Sequence, residues 1–164
     1  MIVAFSSEYK ARFLQLNAEF VHWLSPLDNK GLDYLLSKTS YQKCMIDPET
    51  GQLLGALLAY PHDIDYPDHA NLIWLRQNLS EFFYIDRIVI AAEAQGQGVG
   101  HALYQDLAVH AQSQGYKNLA CEVNTRPDNP GSHMFHQRAG FIAIGKRNIP
   151  EKSKAVCYYA KAIN

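Results

Sequence analysis

The chain has 164 residues, 48% of them hydrophobic and 19% charged, and a net charge of −1 at pH 7. These values suit one globular domain, residues 1–164, with a core of its own, and they exclude a polybasic surface for nucleic acid or for membranes. Cys44, Cys121 and Cys157 are odd in number and lack C-x-x-C spacing, which reads as free thiols in a reducing cytoplasm; no leader and no apolar run of membrane-spanning length is read either.

Met1 to Phe5 reads as a short first strand. Ser6 or Ser7 then caps a helix with Glu8 in its first turn, and Phe13, Leu16, Phe20 and Leu24 mark one apolar face up to Ser25-Pro26. Residues 28–37 form a second helix, with Leu32, Leu35 and Leu36 inward. Tyr41–Ile46 and Leu53–Tyr60 are strands. The turn chemistry of Asp47-Pro48-Glu49-Thr50-Gly51-Gln52 joins them as an antiparallel hairpin. Residues 61–67 are a loop, and 69–79 are helical or irregular, with Leu72, Trp74, Leu75 and Leu79; together they form an insertion ahead of the central strand.

That strand is Phe82–Ile90, FFYIDRIVI, an apolar and β-branched run. After a glycine-rich stretch, Val99, Leu103, Leu107 and Ala111 give one face of a helix that Gly115 ends. Asn118–Val123 is the next strand, followed by a proline-containing loop. A short helix capped by Asn129 or Ser132 runs to Arg138, and Gly140 ends it. Phe141–Gly145 and Ala155–Lys161 are the last strands, joined by residues 146–154. The order is a mixed α/β layout with a single strand–loop–helix–strand unit.

The glycine-rich stretch Gln95-Gly96-Gln97-Gly98-Val99-Gly100-His101 carries the chemistry. Glycines let a backbone approach a ligand closely. A helix start supplies unpaired N–H groups and the positive end of a dipole, so a phosphate or pyrophosphate fits there. A Walker loop is excluded, because Gly98 is followed by Val99 and Gly100 rather than by Lys and Ser/Thr. A dinucleotide fingerprint fits Gly96 and Gly98, with Glu122 at roughly the right distance for a ribose contact. It meets His101 at its third glycine, and only a helix and a hairpin follow Glu122, so the repeated βαβ layout of a nicotinamide enzyme is missing.

Gln95, Gly98 and Gly100 resemble the Q/R-x-x-G-x-G/A loop of the GNAT superfamily of N-acetyltransferases. Downstream, Asn129, Ser132, Phe135-His136 and Gly140-Phe141 follow that family's order and spacing. The resemblance implies a mostly antiparallel, splayed sheet flanked by helices. It further implies transfer of an acetyl group from acetyl-coenzyme A to a primary amine on a small molecule or a protein. Nucleic acid and membrane are not expected partners. The alternative within the same fold is an acyl-coenzyme A sensor without catalysis.

The expected roles follow. The main-chain N–H groups of Gln97 to His101 receive the pyrophosphate. By resemblance, the backbone of Ile88, Val89 and Ile90 pairs with the pantetheine arm, an N–H near Ile90 polarises the thioester, and Asn129, Ser132 and Phe135 complete the cofactor wall. Tyr84, Asp86, Ile88 and Ile90 alternate onto one strand face. Asp86 is therefore the nearer candidate base and Glu122 the second, with a structural ion pair as the other reading of Asp86 and water as the remaining base. The family commonly places a proton-donating Tyr where this chain has His136, which titrates near neutrality and is the candidate acid or, alternatively, a packing residue. His133 and His136 lie one turn apart, yet no third ligand is nearby in sequence and no metal is expected. Ser25 to Asp28 are read either as a wall of the acceptor site or as an ordinary helix–helix turn.

Overall fold

The strand Phe82–Ile90 forms over that range as β4, the central member of a seven-stranded sheet in the computed structural model, which describes residues 1–164. The strands are β1 (Ile2–Ala4), β2 (Tyr41–Ile46), β3 (Leu53–Pro61), β4, β5 (Asn118–Arg126), β6 (Ile142–Ile149) and β7 (Lys154–Ala162). The helices are α1 (Lys10–Glu19), α2 (Asn29–Lys38), α3 (Ala70–Asn78), α4 (Val99–Ser113) and α5 (Pro130–Arg138). Strand order is β1-β2-β3-β4-β5-β7-β6. β4 pairs with β5 in parallel, and the β1–β2, β2–β3, β5–β7 and β6–β7 pairs are antiparallel. The mostly antiparallel mixed sheet expected from sequence is therefore present.

The chain forms two compact units, each built from two separate segments. The first comprises Met1–Tyr60 with Ile85–His110. Its hairpin β2–β3 turns at Asp47, whose N–H reaches the Gln52 carbonyl at 2.9 Å. The Asp47 carboxylate accepts from the Glu49 N–H at 2.8 Å, which lowers its pKa below the usual carboxylate range. Leu57 of β3 and Val89 of β4 are buried in this unit with Phe13, Leu16, Leu32, Leu103 and Leu107, the last five being apolar positions whose periodicity marks α1, α2 and α4.

α1 is shorter than its apolar repeat. Helical geometry stops at Glu19, and Phe20 to Leu24 continue as tight turns. Asn17 explains the break: it is buried, and its side-chain amide donates to the Ser25 carbonyl at 3.2 Å, folding the segment back.

The second unit comprises Pro61–Tyr84 with Ala111–Asn164. Here the sequence reading ends β5 and β6 too early. β5 runs to Arg126 past an irregularity at Asn124, and the polar residues Lys146, Arg147 and Asn148, with the buried Ile149, belong to β6 rather than to a loop. They are held by backbone pairing with β7 over Lys146↔Cys157 to Ile149↔Lys154. β6 is an end strand of the sheet, so its residues need little apolar burial. The insertion, read as helical or irregular, contains the helix α3. Leu72 and Leu75 are buried, and the Trp74 indole stacks on the Tyr158 ring at 3.9 Å and 5°.

Gly145 is required under that indole. A Cβ there would lie 2.3 Å from Trp74 Cη2 and 2.5 Å from Cζ2, and the stacked ring has little freedom to retreat. Gly145→Ala should therefore overpack this face at a cost of about 1–3 kcal/mol, a fall of several degrees in Tm for a chain of this size. Thermal unfolding of the variant beside the parent checks this, and an unchanged Tm would mean that α3 shifts without cost.

Candidate active site

In the first unit, β4 leads through a turn of 3₁₀ helix at Ala92–Ala94 into the glycine loop. Gly96 and Gly98 have φ of 75° and 81°, a region that favours glycine, and a Cβ at either would meet no atom within 4 Å. The first hydrogen bond of α4 runs from the Ala102 N–H to the Gly98 carbonyl at 2.9 Å. The N–H groups of Gly98, Val99, Gly100 and His101 precede it and have no partner inside the helix. The Gln97 side-chain amide donates to the Glu93 carbonyl at 2.6 Å, and Gln95 Nε2 lies 3.5 Å from the Ile90 carbonyl. The loop thus presents open main-chain donors at the positive end of a long helix, the requirement for holding a pyrophosphate.

β4 supports that loop. Val89 is buried, and Ile88 and Ile90 are partly so. Gly55 on β3, not singled out from sequence, allows the close approach. A Cβ on it would fall 2.8 Å from Ile90 Cδ1 and 2.9 Å from the Val89 carbonyl oxygen. The parallel ladder of β4 with β5 covers only Phe82↔Asn118, Phe83↔Leu119 and Tyr84↔Ala120, so Ile88, Val89 and Ile90 lie beyond it along the strand.

Asp86, also on β4, accepts from the Tyr60 hydroxyl at 3.0 Å and lies 3.9 Å from Arg87 Nε. Arg87 donates onward to Asn17 Oδ1 at 2.6 Å and to the Ser25 carbonyl at 3.1 Å. This cluster ties the strand to the α1–α2 connection, where Pro26, Leu27, Asp28 and Gly31 line a cavity of about 430 Å³. The ion-pair reading of Asp86 thus has a geometric basis. Tyr60 and Arg87 were not legible as its partners without the β3 and α1 contacts.

In the second unit, two candidate residues meet. The Tyr84 hydroxyl lies 2.9 Å from Glu122 Oε1 and 2.7 Å from Oε2. Alternation explains the meeting: Tyr84 is in register with Ala120, and Glu122 is the next residue on that face. Two further residues join that sequence reading missed. Asn71 of α3 donates to Glu122 Oε1 at 3.0 Å and accepts from the Tyr158 hydroxyl at 2.8 Å. Tyr158 sits opposite Glu122 in the β5–β7 register. Burial, only partly offset by Arg147, pushes its hydroxyl up to about 12, so it stays a proton-bearing donor. The adjacent tyrosines Tyr158 and Tyr159 are a usable sequence signal, since one of them must face each side of the sheet.

His136 lies on the other face. Cys121 pairs with Tyr159, and the His136 ring stacks on Tyr159 at 5.9 Å and packs edge-on against Phe135 and Phe141. It is buried, with Nδ1 2.7 Å from the Ser132 carbonyl oxygen and 3.3 Å from the Ser132 hydroxyl. A carbonyl only accepts, so Nδ1 carries the proton and Nε2 is the acceptor nitrogen of a neutral ring. Burial lowers the His136 pKa to about 4, against the weaker opposing effect of the Ser132 hydrogen bond. A neutral ring of this tautomer does not match the proton-donor role read from sequence, and it matches the packing alternative. Asn129 caps α5 through the Ser132 N–H at 3.2 Å. His133 faces the Tyr159 hydroxyl at 2.8 Å and the Asn124 carbonyl at 2.9 Å.

The family model of the Acetyltransferase (GNAT) family matches residues 8–141. No curated protein matches the chain in sequence. Among solved structures it is similar to Ard1 from Thermoplasma volcanium, with 14% identity, a TM-score of 0.78, and coverage of 100% of this chain and 97% of that one. Naa20 from Chaetomium thermophilum, solved with a bisubstrate analogue, gives 16%, 0.76, and 99% and 86%. The ribosomal-protein-S18-alanine N-acetyltransferase from Escherichia coli gives 13%, 0.72, and 100% and 94%. At such identities these likenesses concern the fold.

The state of His136 has a measurable consequence. Its folded pKa of about 4 lies below the ordinary 6.5. Between those values the unfolded chain binds the proton and the folded chain does not, so stability falls as pH drops from about 6.5 to about 4. The parent should lose roughly 3 kcal/mol more than His136→Phe across that window. Denaturant unfolding of both proteins at pH 7 and pH 4 measures the difference, and parallel losses would show that His136 titrates normally.

Proposed function

Because the chain belongs to the GNAT acetyltransferase family, we propose that it moves an acetyl group from acetyl-coenzyme A directly to a primary amine. The observation that carries this reading is the open, glycine-lined start of α4, whose Gly98 to His101 N–H groups suit the pyrophosphate of coenzyme A. The backbone of Ile88 to Ile90, beyond the β5 ladder, is assigned to the pantetheine arm, and an N–H near Ile90 to the thioester oxygen. Asn129, Ser132 and Phe135 are assigned to the adjoining wall.

Glu122 is assigned as the base. A primary amine with a pKa of about 10.4 arrives as an ammonium ion and has to lose a proton before it attacks. The carboxylate of Glu122, hydrogen-bonded by Tyr84 and Asn71, is an anionic acceptor for that proton. The amine nitrogen then forms the amide bond as the carbon–sulfur bond breaks, and coenzyme A leaves as a thiolate. Solvent water protonates the thiolate; His136, neutral and hydrogen-bonded to Ser132, is assigned to packing. Asp86 is assigned to holding Tyr60 and Arg87. The acyltransferase class rests on the family, whereas acetyl-coenzyme A as donor and a small-molecule or protein amine as acceptor belong to this proposal. The three free, buried cysteines support a reducing, cytoplasmic setting. No helix is long and apolar enough to cross a membrane.

Acetyl-coenzyme A should raise Tm by mass action on the folded state. Gly98→Asp should abolish that rise, since Asp tolerates a positive φ but sets a carboxylate where the pyrophosphate is assigned. A rise with NAD and none with acetyl-coenzyme A would overturn the reading.

The base assignment is tested by thiol release on a panel of small amines and peptides with free α-amines. Glu122→Gln should lower kcat by roughly 10²-fold or more while leaving the acetyl-coenzyme A Tm rise intact. Asp86→Asn should act mainly on stability. The reverse ranking would return the base role to Asp86.

A further inference from the structure

We propose that Asn71, carried into the site by the helix inserted between β3 and β4, is the positioning residue that orients the Glu122 carboxylate and holds it ionised. The proposal rests on the reading of Glu122 as the base. α3 is fixed to the second unit at several points. His69 caps it through the Leu72 N–H at 3.2 Å, Arg147 donates to the Ala70 carbonyl at 3.3 Å, and Trp74 lies flat on Tyr158. Those anchors deliver Asn71 to Glu122.

The orientation of the Asn71 amide is dictated by its neighbours. A carboxylate only accepts, so Nδ2 faces Glu122 Oε1 at 3.0 Å. The amide oxygen is left to the Tyr158 hydroxyl at 2.8 Å. Tyr158 is fully buried and keeps its proton, so it donates and the amide does not flip. Asn71 donates to Oε1 while the Tyr84 hydroxyl lies across both oxygens, 2.7 Å from Oε2 and 2.9 Å from Oε1, which fixes the rotation of the carboxylate. Both bonds favour its charged form.

Groups that bear on the charge of Glu122 come from every neighbouring element. They are Tyr84 of β4, Tyr158 of β7 with Arg147 of β6 acting on it, Asn71 of α3, and the buried Cys121 beside it on β5. The His69 ring packs edge-on against Tyr84 at 5.1 Å and supports that hydroxyl. Asn71 belongs to the insertion and bonds the carboxylate directly.

The test requires no acceptor. In the full chain labelled with ¹³Cδ-glutamate, the Glu122 resonance is identified by its loss in Glu122→Gln, and its pKa is read by NMR titration. Asn71→Ala should raise that pKa by about one pH unit, because a hydrogen bond to the charged form is lost. Asn71→Asp should raise it further through like charge. Tyr158→Phe keeps the ring under Trp74 and removes the hydroxyl that orients the amide, so it should shift the pKa upward by less. With an acceptor from the panel, the acid limb of kcat against pH should move by the same amounts.

Unchanged titration in Asn71→Ala would overturn the proposal. Should that variant fail to fold, unchanged titration in Tyr158→Phe overturns it equally. Shifted titrations combined with a fully active Glu122→Gln would sustain the positioning role and overturn Glu122 as the base.

Discussion

Strand alternation across the β5–β7 pair is the constraint on which the second unit depends. Glu122 stands opposite Tyr158, and Cys121 opposite Tyr159. Because the side-chain period in a strand is two, this register sends all the polar partners of Glu122 to one face and the histidines of α5 to the other. Tyr84 joins the Glu122 face through the parallel register with Ala120. A slip of one residue would exchange the faces, placing Cys121 in the polar cluster and Glu122 among the aromatic rings around His136. The β4–β5 and β5–β7 registers that meet at Glu122 therefore specify the polar cluster as well as the fold.

A partly buried carboxylate carries a desolvation cost that hydrogen bonds must offset. The sequence places tyrosines at both neighbouring strand positions, Tyr84 and Tyr158, and burial pushes the Tyr158 hydroxyl up, so that it keeps its proton and donates. Glu122 and His136 are therefore opposite cases of the same physics. Glu122 is surrounded by donors, the Asn71 amide and the Tyr84 hydroxyl, which favour a carboxylate's charged form. His136 loses its charge because aromatic rings surround it and its one close backbone partner, the Ser132 carbonyl, is satisfied by a neutral N–H.

What the sequence made legible follows from the same distinction between main chain and side chain. The β4 run, the glycine loop and the helix after it were readable because their roles depend on local periodicity and on backbone freedom, which residues 82–115 spell out directly. The helix cap Asn129 was readable for the same reason, whereas the cap Asp28 was not singled out. The end of α1 was misplaced because Asn17 closes the turn through Ser25, a contact no hydrophobic pattern encodes. The extent of β6 was missed because backbone pairing, not apolar alternation, holds residues 146–149 in the sheet. At the site, Tyr84 and Glu122 were separately legible as polar residues on apolar strands, whereas Asn71, Tyr158 and Gly55 acquire meaning only from registers and close approaches.

The division extends to function. A loop proposed to bind through main-chain N–H groups constrains chiefly the residues that adopt positive φ, here Gly96 and Gly98, so it is legible from the local sequence. The base proposed here depends on side chains brought from distant segments, a strand pair and an inserted helix, which no local pattern in the sequence joins. In this chain the insertion does more than cover a sheet face. It supplies a second donor to the carboxylate, and the anchors that hold α3, from Trp74 on Tyr158 to Arg147 on Ala70, are the means by which that donor is held in place.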